Sequence, residues 1–177
     1  MKFNDLCREA RIVYLLSLCD LITKDILQSK GYPIVHEALE KCWKWVRDKN
    51  IEAHELYLYL ENMEEKDVLT YMQFESDPHK EKVWICIGDA LAYIIWEAYQ
   101  YEGEEYLPQT IESVDIETID DFIRNFKEVY PNSNLAEKLL YQLVMWYPYN
   151  MNKEINIISI KKIVDKIIED IISVPFK

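Results

Sequence analysis

Apolar residues recur every three or four positions through most of this chain, which is the spacing of one buried face of an α-helix. The clearest run lies between Asp115 and Pro131, and its apolar face comprises Ile116, Ile119, Phe122, Ile123, Phe126 and Val129. In a second run, at residues 157–171, all the apolar residues are isoleucine or valine. These residue types favour strands, but their spacing of three and four predicts a helix.

Glycine and proline mark the ends of several predicted helices. The first helix is predicted at residues 4–28, and Gly31 ends it. Pro33 suits the first turn of a second helix, because its missing N–H would have had no partner there. Two shorter helices are predicted at 52–62 and 64–74.

Polar side chains predict where two further helices begin. Asp115 is a candidate N-cap, and Glu117 lies in the following turn, where the helix dipole favours a carboxylate. Asn134 and Glu137 have the spacing of a capping box.

Residues 83–101 are apolar nearly all round, so they predict a helix surrounded by other helices. The stretch 103–114 has no periodic pattern and is predicted as an ordered loop. Glycine is scarce, with three in 177 residues, and half the residues are hydrophobic. We therefore predict a single all-α domain over residues 1–177, a bundle of about six to eight helices around a buried central helix at about 83–101.

Two tryptophans of the second predicted helix differ in position. Trp43 lies on the apolar face and is expected in the core. Trp45 lies off that face. Exposure, as an anchor for a partner, and partial burial against a long side chain are both open for Trp45.

Basic residues are missing from one long segment of the chain. The 41 residues 83–123 contain ten acids and neither lysine nor arginine, whereas the other 136 residues contain 22 acids and 20 bases. Ten of the twelve net negative charges therefore lie in this segment. Such a block repels itself, and its field attracts a positively charged partner.

Two of these ten acids, Asp89 and Glu97, lie in the central apolar helix and are expected to serve the structure. The other eight, with two tyrosines, are predicted to form a partner-binding surface: Tyr101, Glu102, Glu104, Glu105, Tyr106, Glu112, Asp115, Glu117, Asp120 and Asp121. Tyrosine supplies contact area at low entropic cost. A solvated face without a partner is the other interpretation of such a charge run.

Asp89 lies beside Gly88 in the apolar helix and has two interpretations. A buried carboxyl group with a raised pKa is typical of a catalytic acid. A structural carboxylate would instead accept a hydrogen bond from a backbone N–H or a tyrosine hydroxyl. The thirteen tyrosines of the chain favour the structural interpretation.

The motifs of catalysis and metal binding are missing from the sequence. There is no H-E-x-x-H pair, no Glu-x-x-His pair and no glycine-rich phosphate loop, and the chain has three histidines in all. We therefore predict no enzyme and no cofactor. The four cysteines, Cys7, Cys19, Cys42 and Cys86, form no C-x-x-C pair, so free and mostly buried thiols are predicted.

Charged residues interrupt the N-terminus, which argues against a signal peptide. The most apolar stretch, residues 83–96, is too short to span a bilayer. We expect a cytoplasmic protein that contacts no membrane.

Four segments together resemble a known family. They read YPIVHEALEKCWKWV (32–46), ELYLYLEN (55–62), GDALAYIIWEAYQYEG (88–103) and YLPQTIESVD (106–115). Their order and spacing resemble the sixth family of predicted immunity proteins of bacterial polymorphic toxin systems. The likeness covers roughly residues 30 to 123.

This resemblance implies an all-helical protein that protects its producer or a sibling cell from a secreted toxin. Toxins of such systems are often nucleases with basic surfaces that hold phosphates. The expected partner is thus a basic toxin domain and not nucleic acid itself. Two other functions stay open: a helical adaptor or oligomerisation module, and a small hydrolase or metalloenzyme that uses Asp89 with a histidine.

Overall fold

The computed structural model describes residues 2–132, 134–151 and 155–173 and confirms the all-α prediction. Nine α-helices occur in these residues: α1 (Arg8–Ile22), α2 (Tyr32–Asp48), α3 (Ala53–Leu60), α4 (Val68–Gln73), α5 (Pro78–Glu102), α6 (Gln109–Glu112), α7 (Ile116–Val129), α8 (Leu135–Trp146) and α9 (Ile157–Ser173). Turns of 3₁₀ helix lie at Phe3–Asp5 and Thr23–Ile26. The single turn α6 lies within the stretch predicted as a loop, which is why the helix count exceeds eight.

Helix α5 is the central helix that the sequence predicts, and it is longer than expected. It packs against α1, α2, α3, α4, α6 and α7, most extensively against α7. Its N-cap is Asp77, whose carboxylate accepts hydrogen bonds from the backbone N–H groups of His79 and Lys80. These bonds occupy donors that otherwise lack a partner in the first turn.

The first helix is shorter than the predicted span of 4–28 at both ends, because Leu6 and Cys7 before it are extended and Thr23–Ile26 after it form a 3₁₀ turn. The backbone N–H of Cys7 donates to the carbonyl of Tyr147 at 3.0 Å, and the N–H of Tyr149 donates to the carbonyl of Asp5 at 2.7 Å. This antiparallel bridge ties the N-terminal segment to the chain that follows α8. The pairing is between residues far apart in sequence, so no local pattern indicates it.

One predicted cap is confirmed and one is wrong. The Asp115 carboxylate accepts from the backbone N–H groups of Glu117 and Thr118 and so caps α7. Asn134 makes no side-chain cap to α8, because its backbone (φ −94°, ψ −1°) is near-helical. A capping side chain needs an extended backbone to reach the free N–H groups.

The expectations for the two tryptophans are corrected. Trp45 is completely buried, whereas Trp43 is partly exposed. Trp45 follows Ala38 by seven positions and Cys42 by three, so it shares their buried face. The ammonium of Lys49 lies 3.7 Å from the centre of the Trp45 ring and covers it.

All four cysteines are buried with free thiols, as predicted. Among the described residues, no helix is long and apolar enough to cross a membrane.

Candidate functional site

The ten residues of the predicted surface lie at the end of α5, in the loop after it, in α6 and at the start of α7. All are exposed except Asp121, which is partly buried. In the described part of the chain, no side chain–side chain hydrogen bond joins any two of them. They are therefore separate groups along one surface segment and not a preformed hydrogen-bonded cluster.

The turn after α5 depends on glycine. Gly103 has a φ of +74°, a left-handed conformation that L side chains rarely adopt, and it ends the helix. A Cβ at this position would meet no atom within 4 Å, so the conformation and not the space requires glycine. The turn leads into the exposed residues Glu104, Glu105 and Tyr106.

Three of the eight predicted acids have partners inside the molecule. The Glu102 carboxylate accepts a 2.7 Å hydrogen bond from the backbone N–H of Ala53, at the start of α3. Asp115 caps α7, as described above. Asp121 forms an ion pair with Arg124, one turn further along the same helix. These acids have a structural task whether or not they also contact a partner.

Tyr101 also has an internal contact. Its ring packs edge-on against Trp45, with ring centres 6.2 Å apart, and about half of its surface stays exposed. Tyr106 is different, because it is 88% exposed. Of the two tyrosines, Tyr106 is the better candidate for contact with a partner.

Six of the ten predicted residues are exposed and make no ion pair, side-chain hydrogen bond or aromatic ring contact within the described residues. We call them the acidic surface: Glu104, Glu105, Tyr106, Glu112, Glu117 and Asp120. Five carboxylates without a counter-charge create a negative field that favours a basic partner. This set is smaller than the predicted one because the three acids with internal partners and Tyr101, which packs against Trp45, are left out.

Glu97 has the structural role that the sequence predicts. It is 2% exposed, and its carboxylate accepts from Arg8 at 2.9 Å, from Arg11 at 3.3 Å and from the Tyr93 hydroxyl at 2.8 Å. These contacts join α1 to α5. A buried carboxylate with three donors is well satisfied and has little capacity left for a partner.

Asp89 does not make the hydrogen bond that the structural interpretation requires. Its Oδ2 atom is buried and has no hydrogen-bond partner among the described residues. Burial and the nearby charge of Asp121 raise the pKa of Asp89 to about 7, against a smaller opposite effect of Arg124. The expectation of a bonded backbone N–H or tyrosine hydroxyl is therefore wrong.

In residues 2–132, 134–151 and 155–173, no group of three or more His, Cys, Asp and Glu side chains could hold a metal ion.

The family model described as Immunity protein Imm6 matches residues 10–129. The chain belongs to the Imm6 family of immunity proteins. The match confirms the resemblance in the sequence and supports a role in immunity to a toxin. It spans α1 to α7 and contains all ten residues of the predicted surface. Neither a curated protein nor a solved structure gives a significant match.

The region after the Imm6 match contains an exposed apolar surface that the sequence analysis missed. Tyr141, Met145 and Trp146 on α8, and Tyr149 just after it, are each 59% to 70% exposed. Tyr141, Met145 and Tyr149 follow one another at intervals of four. This spacing, beside the buried face of Leu139 and Leu143, was the available signal.

Proposed function

We propose that this member of the Imm6 family neutralises a cognate toxin by binding it tightly through the acidic surface. Family membership supports toxin neutralisation, and one structural observation supports the surface. The five exposed carboxylates of the acidic surface form no ion pair with described residues, whereas the chain outside residues 83–123 is nearly balanced, with 22 acids and 20 bases. A basic protein surface supplies the missing charges.

The acidic surface acts first on the rate of association. Complementary charge raises association rates by roughly ten- to a thousand-fold at low salt. Tyr106, at 88% exposure, then provides apolar contact area that is buried in the complex. Affinity depends on such anchors more than on the exposed charges at the rim of an interface.

The proposed partner is a basic toxin domain, and a nuclease fits this description because its surface must hold phosphates. The immunity protein then covers the toxin active site or a neighbouring surface. In this proposal residues 1–177 act as one domain in the cytoplasm. The protein catalyses no reaction, uses no cofactor and contacts neither nucleic acid nor a membrane.

Co-expression tests this proposal. The toxin domain encoded by the neighbouring gene is produced with and without this protein, and growth and complex formation are measured. We expect restored growth and a stoichiometric complex that survives gel filtration. Growth arrest despite full expression of this protein, with no complex formed, would overturn the proposal.

A second candidate function is self-association through the exposed apolar surface of α8. Tyr141, Met145, Trp146 and Tyr149 support it, because large exposed apolar patches are typical of protein interfaces. Light scattering on the wild type and on Trp146→Ser measures the oligomeric state and tests for self-association. A dimer that Trp146→Ser converts to a monomer supports self-association, and a monomeric wild type excludes it.

A further inference from the structure

A cavity of about 220 Å³ lies at the meeting point of α3, α4, α5, α6 and α7. Leu60, Leu69, Met72, Ile85 and Val114 supply most of its apolar wall. Among the described residues, Asp89 is the only charged one that lines it. The cavity is smaller than the roughly 300–1,000 Å³ of pockets for drug-sized ligands, so its size suits one side chain.

The carboxylate in this wall lacks a partner. Asp89 Oδ2 is buried and accepts no hydrogen bond within the part of the chain that the structure describes. From α7, Asp121 repels the Asp89 charge and Arg124 attracts it, and Asp121 holds the Arg124 guanidinium at the surface. A buried oxygen without a donor costs free energy, and a cation placed beside it removes that cost.

Three hydroxyl residues, Thr110, Ser113 and Thr118, are the other polar residues in the cavity wall. An ammonium group has three donors, which one carboxylate and neighbouring hydroxyl oxygens can accept. The apolar wall suits a four-carbon stem. An anion would meet Asp89, and a neutral apolar group would leave its oxygen without a donor.

We propose that this cavity is a socket for a lysine side chain of the toxin. The inference rests on the proposed function and deepens it, because the chain around the socket carries the acidic surface. Glu112 lies between the lining residues Thr110 and Ser113, and Glu117 precedes the lining residue Thr118. Charge complementarity thus continues from the exposed carboxylates into the cavity.

The socket can be tested without the toxin. n-Butylammonium chloride, which has the stem and charge of lysine, is titrated into the full chain at pH 8, with n-butanol as the neutral match. Amide NMR signals of residues 88–92 report binding. We expect a saturable shift with butylammonium and at least about tenfold weaker binding of butanol. Equal binding of both probes, or no saturable shift with butylammonium, overturns the proposal.

Two variants test whether butylammonium binds in this cavity. Asp89→Asn keeps the shape and removes the charge, and it should weaken butylammonium binding about tenfold or more. Gly88→Ala narrows the cavity and keeps the charge. Outside its own helix, its added Cβ would meet Leu69 Cδ2 at 3.9 Å, an ordinary van der Waals contact, so the fold should tolerate it. Unchanged butylammonium binding by both variants contradicts the socket.

Toxin binding separates this inference from the function on which it rests. Asp89→Asn should weaken the complex about tenfold or more, mainly through faster dissociation. Equal toxin affinities of the wild type and Asp89→Asn would contradict the socket and leave the proposed function intact. Failure of the wild type to bind any toxin would contradict the proposed function. The butylammonium titration would still show whether the cavity binds a cation.

Discussion

The Glu102 carboxylate accepts a 2.7 Å hydrogen bond from the backbone N–H of Ala53. The last residue of α5 thus supplies a hydrogen-bond acceptor for the first backbone N–H of α3. The sequence predicts Glu102 as part of a binding surface. The structure shows that it forms a contact between α3 and α5 through two residues 49 positions apart in sequence. An acid in a charged segment can therefore have a structural task.

Replacing Glu102 should lower the free energy of unfolding. The loss should be larger when the new side chain has no oxygen to accept the hydrogen bond from Ala53. Ala53 is fully buried, so Glu102→Ala leaves a buried N–H without a partner and should cost about 1–3 kcal/mol. Glu102→Gln keeps an acceptor oxygen and should cost less than about 1 kcal/mol. Urea unfolding measures both variants, and equal stability of the two would show that the hydrogen bond contributes nothing.

Glu97 forms a buried contact with Arg8 and Arg11, so substitutions within this contact should have strongly coupled effects on the free energy of unfolding. Glu97→Gln leaves Arg11, which is 13% exposed, without its counter-charge and should cost about 3 kcal/mol. The double variant Glu97→Gln/Arg11→Met should lose less than the sum of the two single losses, because the second change removes the stranded charge. Strictly additive losses in urea unfolding would contradict the coupling.

Asp89 should make stability fall as the pH rises from about 4 to about 7. Burial raises the pKa of Asp89 from 3.8 to about 7, so the folded state binds the proton that the unfolded state has already released in this window. Asp89→Asn removes the ionisable group and with it this loss of stability. The variant should be more stable than the wild type by about 1–3 kcal/mol at pH 8, with little difference near pH 4.

Urea unfolding of the wild type and Asp89→Asn at pH 4, 6 and 8 checks this window. The other groups near Asp89 are Asp121 and Arg124 on α7 and the buried thiols of Cys19 and Cys86. They are present in both proteins, so the difference between the two reports Asp89. A stability difference that does not change with pH would contradict the raised pKa.

Trp45 should matter for stability and not for toxin binding. It is completely buried, so Trp45→Phe should cost about 1–3 kcal/mol in unfolding. The matched change Tyr106→Phe, on an 88% exposed side chain, should leave stability almost unchanged. Surface plasmon resonance at a temperature where both variants are folded should give an unchanged toxin affinity for Trp45→Phe, and a large loss would restore Trp45 as an anchor.

Local signals predicted the helices well. The capping of α7 by Asp115 and the apolar nature of α5 depend on residues close in sequence, so periodicity and capping rules found them. Trp45 was predicted to lie off the apolar face of α2. Its intervals of seven from Ala38 and three from Cys42 would have placed it on the buried face, so a closer use of the same rule would have found it.

Contacts between distant residues could not be predicted in this way. The bond from Ala53 to Glu102 and the pairing of Cys7 with Tyr147 join segments far apart in the chain. The cavity at Asp89 is formed by five helices, and its shape follows from their packing. The sequence therefore located the charged segment, whereas the fold determined which of its acids are free of internal partners.

The central claim is that the acidic surface, by its position, steers the toxin to this protein. The most direct test compares two charge reversals to lysine that change the net charge equally. One variant reverses Glu104, Glu105, Glu117 and Asp120. The control reverses four exposed acids elsewhere that make no ion pair with described residues: Glu65, Glu81, Glu169 and Asp170.

The measurement is the association rate constant with the toxin at low and at physiological salt. We predict that reversal of the acidic surface lowers the rate at low salt by about tenfold or more and removes most of its salt dependence, whereas the control variant loses much less. Equal losses in the two variants would show that only net charge matters and would contradict the claim.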